Sequence, residues 1–360
     1  MELIVPPGVL DAFGLAGPDF KAVRHGQGLI NLSIKLTHRE AKGNAWLLQR
    51  INTTVFVQPE AIAHNWKLAV ETIKKRDADY FIIEFLPTLS GSDFHRDKEG
   101  AYWRLLPFVQ GSTSYERVVD PQQAWSAARA FGMFCNLLRD APVHRFHETI
   151  KGFHDLDLRV RQLKASLTTD SANRLKSAAD CLSEIDQFNW IRDYYISLVN
   201  HPAIPLRVMH MDAKLNNVLF RENSNNALCL VDFDTLMPGY IFSDMGDMVR
   251  TMVCSANEEE LAGGKPEFRP EYFEALMQGY RETAGDTLTK AEQDVLAFSG
   301  LILVYMQAVR FLADYLAGDI YYAVTYDRHN LKRAEGQLRL LKSFAEHTDF
   351  MKQTVIKVFG

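Results

Sequence analysis

The chain has 360 residues with 40 Lys and Arg against 45 Asp and Glu, a formal net charge of −5. Its basic residues are scattered, which argues against a nucleic-acid-binding surface. With 47% hydrophobic and 24% charged residues the composition is that of a soluble globular protein, and the length suits two lobes better than one ordinary domain.

The opening segment, MELIVPPGVLDAFG, lacks a basic stretch and has prolines inside its apolar run, so no signal peptide is expected. Residues 29–36 alternate apolar Ile30, Leu32, Ile34 and Leu36 with polar Asn31, Ser33 and Lys35, the period of a half-buried strand. Gly26 and Gly28 form the turn before it, and residues 45–51 supply a returning strand. Pro59 at a first helical position predicts a helix running to about Arg76. Residues 80–86 and 103–109 predict two further strands, completing a small antiparallel sheet.

Residues 110–114, Gln-Gly-Ser-Thr-Ser, are small and polar and predict a hinge. Beyond it helices dominate. Asp120 can cap a helix that starts at Pro121 and carries Trp125, Phe131 and Phe134 inward. Thr289 and Glu292 have capping-box spacing and open a long helix through Leu316. Its apolar stretch, residues 297–316, contains Gln307, Arg310 and Asp314, so it reads as a buried helix and not a membrane span. A final helix is expected from about Leu331 to Val358. Cys135, Cys181, Cys229 and Cys254 are far apart, with no CxxC pair, and are expected as free thiols in the cytoplasm.

The most informative stretch is Val208 to Asp247. A His-x-Asp at His210 and Asp212 is followed five residues later by Asn217, then by an apolar strand that ends in Asp232. Phosphoryl transfer needs a carboxylate beside the acceptor hydroxyl, here Asp212, and hard oxygen ligands for a nucleotide-bound magnesium, here Asn217 and Asp232. The short strand before His210 and the buried strand before Asp232 place these groups at loop and strand-end positions. The expected plan is α+β and bilobal, a nucleotide-binding lobe over residues 1–110 and a catalytic, substrate-binding lobe over residues 111–360.

These residues carry a resemblance. GQGLINLS at 26–33, LLQRINTTVF at 47–56, MHMDAKLNN at 209–217, VDFDTLMPG at 231–239 and RFLADYLAGDIYY at 310–322 resemble the aminoglycoside phosphotransferase and choline kinase superfamily. Within it, the chain is most similar to bacterial N-acetylhexosamine 1-kinases. The resemblance implies the protein-kinase-like fold and an ATP- and Mg2+-dependent kinase acting on the anomeric hydroxyl of a hexose or N-acetylhexosamine. It implies Asp212 as base or hydroxyl-orienting group, Asn217 and Asp232 as magnesium ligands, and Asp234 as a further metal or substrate ligand. Asp244 would brace the catalytic loop, and His210 would be structural. Gly26, Gly28, Asn31 and Ser33 would cover the phosphates.

At the position of the usual strand lysine stands neutral Gln49, so Lys214 is expected to supply the cation at the transferring phosphoryl group. Arg310 and Tyr321 are expected to line the sugar pocket, with Thr235 as a further hydroxyl contact. Asp314, four residues after Arg310, could be its ion-pair partner or a pocket residue. The chain departs from the kinase pattern at Met211, Ala213 and Thr251, so a strict N-acetyl requirement does not follow. The rival readings are a superfamily kinase for choline, homoserine, a methylthiosugar or an aminoglycoside, and a silent binding protein.

Overall fold

Period-2 alternation in the first hundred residues produces the expected sheet. The computed structural model describes residues 2–15, 19–26, 30–40, 43–169, 173–256 and 266–360. Strands β1 (Phe20–Arg24), β2 (Leu32–His38), β3 (Ala45–Arg50), β4 (His95–Arg96) and β5 (Tyr102–Pro107) pair antiparallel in the order β1-β2-β3-β5-β4. Ala22, Ile34, Leu36, Leu48, Trp103 and Leu105 bury one face, covered by Val9 and Phe13 from the short helix α1 (Val9–Ala12). On the opposite face Ser33, Gln49 and Arg104 lie in register across three strands.

The strand expected at residues 80–86 does not form; Leu86 makes a single bridge to Leu105. Phe81, Ile82 and Ile83 do not alternate: Phe81 is exposed while the next two residues are both buried. Without a one-sided face the segment has no register to hold against a sheet.

Helix α2 (Pro59–Arg76), with proline at its start as expected, joins the lobes. Trp66 stacks on Phe233 at 4.0 Å between ring centroids, and Asn65 Nδ2 donates to the carbonyls of Leu236 and His147. The expected hinge is tethered, because β6 (Ser112–Thr113) pairs with β8 (Val218–Arg221). Strand β8 also pairs with β9 (Ala227–Leu230), and β7 (Arg207–Met209) pairs with β10 (Met237–Gly239).

Around these hairpins lie α3 (Pro121–Leu137), α4 (Leu156–Thr169), α5 (Leu175–Gln187), α6 (Trp190–Val199), α7 (Ile241–Met252) and α8 (Pro270–Ala284). The Asp120 carboxylate accepts from Gln122 N–H and caps α3, as its sequence predicts. Helix α9 (Lys290–Ala317) opens with the complete Thr289–Glu292 capping box and packs against α4 and α7. It is apolar enough to cross a membrane, but 83% of its most apolar window is buried inside the protein. The expected last helix is two, α10 (His329–Glu346) and α11 (Thr348–Phe359). His347 breaks them: its Nδ1 bonds back to Ser343 O at 2.7 Å and its ring stacks on Phe268. All four cysteines are free and buried.

Candidate active site

Strand β7 delivers the chain into a loop at residues 210–214, followed by one 3-10 turn, Leu215–Asn217. Lys214 Nζ lies 2.9 Å from Asp212 Oδ2. Asn217 Nδ2 donates to both the backbone oxygen and Oδ2 of Asp212, each at 2.8 Å. Burial opposes ionisation of Asp212. The Lys214 ammonium, helped by His210 and Asn217, outweighs it and holds the carboxyl below its ordinary value. Asp212 is thereby kept as a carboxylate able to receive a proton.

The loop is fixed from beneath. Asp244, on α7, accepts the N–H groups of His210 and Met211 at 2.9 and 2.7 Å. Burial pushes the Asp244 carboxyl up to about 7, against the pull of those two donors. Met211 holds a left-handed φ of +64°, a conformation that costs a non-glycine residue energy and persists only where surroundings enforce it. His210 is structural, as expected. Its Nε2 bonds Val231 O at 3.0 Å, and Phe131 and Phe233 surround its ring.

Thr235, expected as a sugar contact, faces the backbone of the catalytic loop. It is buried and its hydroxyl donates to His210 O at 2.8 Å, so it braces the loop. Met211 and Ala213 also turn into the core, with 5% and 0% exposure.

Asp232 follows β9 with a φ of +64°. Burial, then the charges of Asp234 and Asp212, push its carboxyl up to about 7. That concentration of negative charge is what a divalent cation would relieve. Asn217 has its amide nitrogen on Asp212, which leaves Oδ1 as its ligand atom. Two protein oxygens completed by phosphate oxygens suit Mg2+, which rarely uses an all-protein cage. No cluster of three His, Cys, Asp or Glu among the described residues forms such a cage.

Asp234, expected as a further metal or substrate ligand, contacts the other lobe. Arg104 Nη1 lies 2.5 Å from its Oδ1, and Asn31 Nδ2 donates to its Oδ2 at 2.6 Å. Oδ2 is hydrogen-bonded, Oδ1 has the ion-pair contact but no hydrogen-bond partner, and the side chain is 3% exposed. Arg104 Nε donates to Gln49 Oε1 and Gln49 Nε2 to Ser33 Oγ, each at 2.9 Å. Asn31, Ser33 and Gln49 are thus brought together as expected, but as a bonded row that leads to Asp234. Gly26 takes the positive φ of +71° that its turn requires. Gly28 lies outside the described residues.

On the acceptor side, Asp314 turns away from Arg310. Its carboxylate accepts the backbone N–H groups of Ile320, Tyr321 and Tyr322 and the amide of Asn330, which shapes the loop after α9. Arg310 is half-buried, bonded to Gln307 and set over the rings of Phe153 and Tyr322. Tyr321 is exposed, with its ring 4.8 Å from that of Tyr322. His154 stacks on Phe153, and its buried Nδ1 has no hydrogen-bond partner. Burial, then Arg310, push its imidazole down to about 3, with Arg159 and Arg250 adding to this and Asp212 opposing. His154 therefore stays neutral. Asp247 pairs with Arg250 at 3.1 Å, and burial pushes its carboxyl up to about 6.

Residues 86–285, more than half of the chain, match the family model described as phosphotransferase enzyme family (APH). The chain belongs to that family. Three solved structures share its fold over almost the whole length. An aminoglycoside phosphotransferase from Alicyclobacillus acidocaldarius has a TM-score of 0.63 at 14% identity, covering 99% of this chain and 98% of its own. A microcompartment-associated aminopropanol kinase has a TM-score of 0.60 at 13% identity, covering 93% and 94%. A choline/ethanolamine kinase family protein from Mesorhizobium loti has 0.57 at 18% identity, covering 96% of each chain. At these identities the likeness establishes the kinase-like α+β bilobal fold and no substrate.

Sequence reading of this phosphotransferase missed Arg104 and His154. Arg104 had a signal: a lone cation inside the apolar strand Tyr102–Pro107 must be paired if it is buried. His154 had none, since nothing near it in sequence marks a site.

Proposed function

We propose that the protein transfers the γ-phosphoryl group of ATP to the anomeric hydroxyl of a hexose or N-acetylhexosamine, giving a sugar 1-phosphate. The acceptor proton passes to the Asp212 carboxylate as the hydroxyl oxygen bonds to phosphorus and the bond to the leaving ADP oxygen breaks. Lys214 stands beside the carboxylate, where a cation offsets charge on the transferring group. Asn217 and Asp232 would hold Mg2+, which would offset the charge of the nucleotide phosphates. An anomeric hydroxyl is more acidic than an ordinary alcohol, so a carboxylate suffices as base. The free buried thiols support a cytoplasmic setting.

The observation that carries the acceptor reading is the company of His154. The neutral His154 stacks on Phe153, and the half-buried Arg310 guanidinium is set over Phe153 and Tyr322. Guanidinium groups offer planar arrays of donors to oxygen-rich ligands and repel cations. A neutral polyhydroxylated acceptor suits the Arg310 guanidinium better than choline, an amino alcohol or a polycationic aminoglycoside does. The test is ATP consumption across hexoses, N-acetylhexosamines, their alditols, choline and aminoglycosides, with phosphorus NMR of the product. We expect phosphate on carbon 1, no reaction with alditols, and only a moderate preference for the N-acetyl sugar. Phosphate on carbon 6, or preferred turnover of a cationic acceptor, would defeat this reading and spare the fold.

A further inference from the structure

The strand cation that kinases usually direct at the nucleotide is replaced here by Gln49, and the charge stands one strand over. Gln49 pairs with Arg104 across β3 and β5, and Arg104 Nε donates to Gln49 Oε1. The guanidinium then crosses from the nucleotide-lobe sheet to Asp234 of the catalytic lobe, at 2.5 Å, with both side chains 3% exposed. From the other side Asn31, at the base of the phosphate-covering turn, reaches the second oxygen of Asp234 at 2.6 Å. Asp234 is thus the meeting point of three segments: the sheet, the base of that turn and the 3-10 turn Phe233–Thr235. Asp232 stands two residues upstream in a left-handed conformation that needs external support.

We propose that Arg104 is a positioning residue. Together with Asn31 it latches Asp234 to the nucleotide lobe, so that the geometry of the metal ligand Asp232 depends on Asn31 and the sheet being in place. The proposal rests on the kinase reading above and deepens it. A lysine could not do the same work, because the bond to Gln49 and the contact with Asp234 use the two edges of one planar fork. Buried charge pairs are weak evidence of stabilisation in themselves, and their best-attested use is to fix one arrangement among several. The sequence separation of 203 residues between Asn31 and Asp234 is what makes this contact a latch between lobes and not a local turn bond.

Calorimetric titration of the full chain with AMP-PNP at saturating and at limiting Mg2+ tests it without turnover. Arg104→Met and Asp234→Asn should each weaken binding of magnesium AMP-PNP about tenfold or more. The double variant should be no worse than the weaker-binding single, since both cut one link. Arg104→Lys should recover only part of the loss. Arg104→Met affinity within twofold of wild type, or losses that multiply in the double variant, would overturn the latch. A drop in melting temperature with unchanged nucleotide affinity would do the same, by assigning Arg104 to stability alone. If Arg104→Met fails to fold, Asn31→Ala decides. It severs the other arm and should cost at least threefold in affinity, and an unchanged value sinks the proposal. Failure of the kinase reading is distinct: wild type would then bind no magnesium AMP-PNP, whereas failure of the latch leaves wild-type binding intact and the variants equal to it.

Discussion

Asp212 and Lys214 form a unit whose parts do different work. Asp212→Asn keeps the shape and the Asn217 contacts but removes the proton acceptor. We expect kcat to fall by a factor on the order of 10² or more with nucleotide affinity nearly unchanged. Turnover near wild type, measured by coupled ADP release, would remove Asp212 from the mechanism. Lys214 lies 2.9 Å from that carboxylate and helps hold it ionised. Lys214→Ala should depress kcat more than it raises the KM for ATP, the signature of an interaction made in the transition state. It should also move the acid limb of the pH–rate profile upward, because Asp212 loses the charge that lowers its proton affinity. A variant with normal kcat and an unmoved acid limb would return Lys214 to the role of a solvated loop residue.

At the scale of elements, the catalytic loop is only as well placed as α7, which carries its brace. Asp244 occupies the first turn of that helix, and Gly246 lies two residues on. A Cβ built at Gly246 would stand 2.5 Å from Ser299 O and 2.6 Å from Leu303 Cδ2, so α7 sits on α9 at a distance that only glycine permits. Gly246→Ala should therefore push the helices apart at a cost of about 1–3 kcal/mol. The displacement would carry Asp244 away from His210 N–H and Met211 N–H, whose loss of partners is itself costly. The expected outcome is a lower denaturant midpoint together with reduced kcat. A stable variant with full activity would show that the interface has slack.

For the whole molecule, buried titratable groups set how stability depends on pH. His154 titrates near 3 when folded and near 6.5 when unfolded, because burial and the Arg310 charge disfavour its cation. Below about pH 6.5 the unfolded chain takes up a proton that the folded chain refuses. Stability from this residue therefore falls as pH drops from 6.5 toward 3 and is flat above 6.5. The effect amounts to on the order of 2 kcal/mol at pH 5. Asp232, Asp244 and Asp247, raised to about 7, 7 and 6, slope the other way, holding protons in the folded state and losing stability as pH rises from about 4 to those values. His154→Gln removes only the histidine contribution. Denaturation at pH 5 and pH 7.5 should show the variant losing less stability on acidification than wild type. Equal losses would place His154 in a solvated setting.

The sequence by itself determined the chemistry and the local elements. The candidates Asp212, Asn217 and Asp232 are legible because the proposed proton transfer and metal binding restrict the residue types, and one loop and one hairpin bring them together over short separations. Caps at Asp120 and Thr289 and the proline at the start of α2 are legible because a helix end is closed by neighbours three or four residues away. The tertiary structure alone decided what lies further apart. Asp234 has the residue type of a metal ligand, yet Arg104 and Asn31 from the other lobe contact it. Thr235 and Met211 flank the catalytic groups in sequence but point into the core. Asp314 looks like an ion-pair partner of Arg310 by helical spacing, and the loop that follows α9 claims its carboxylate. His154, just before α4, is brought near Arg310 of α9 only by the fold. In each case the side chain's partner is chosen by which distant segments share a buried volume, where an unpaired polar group is costly, and no local pattern encodes that choice.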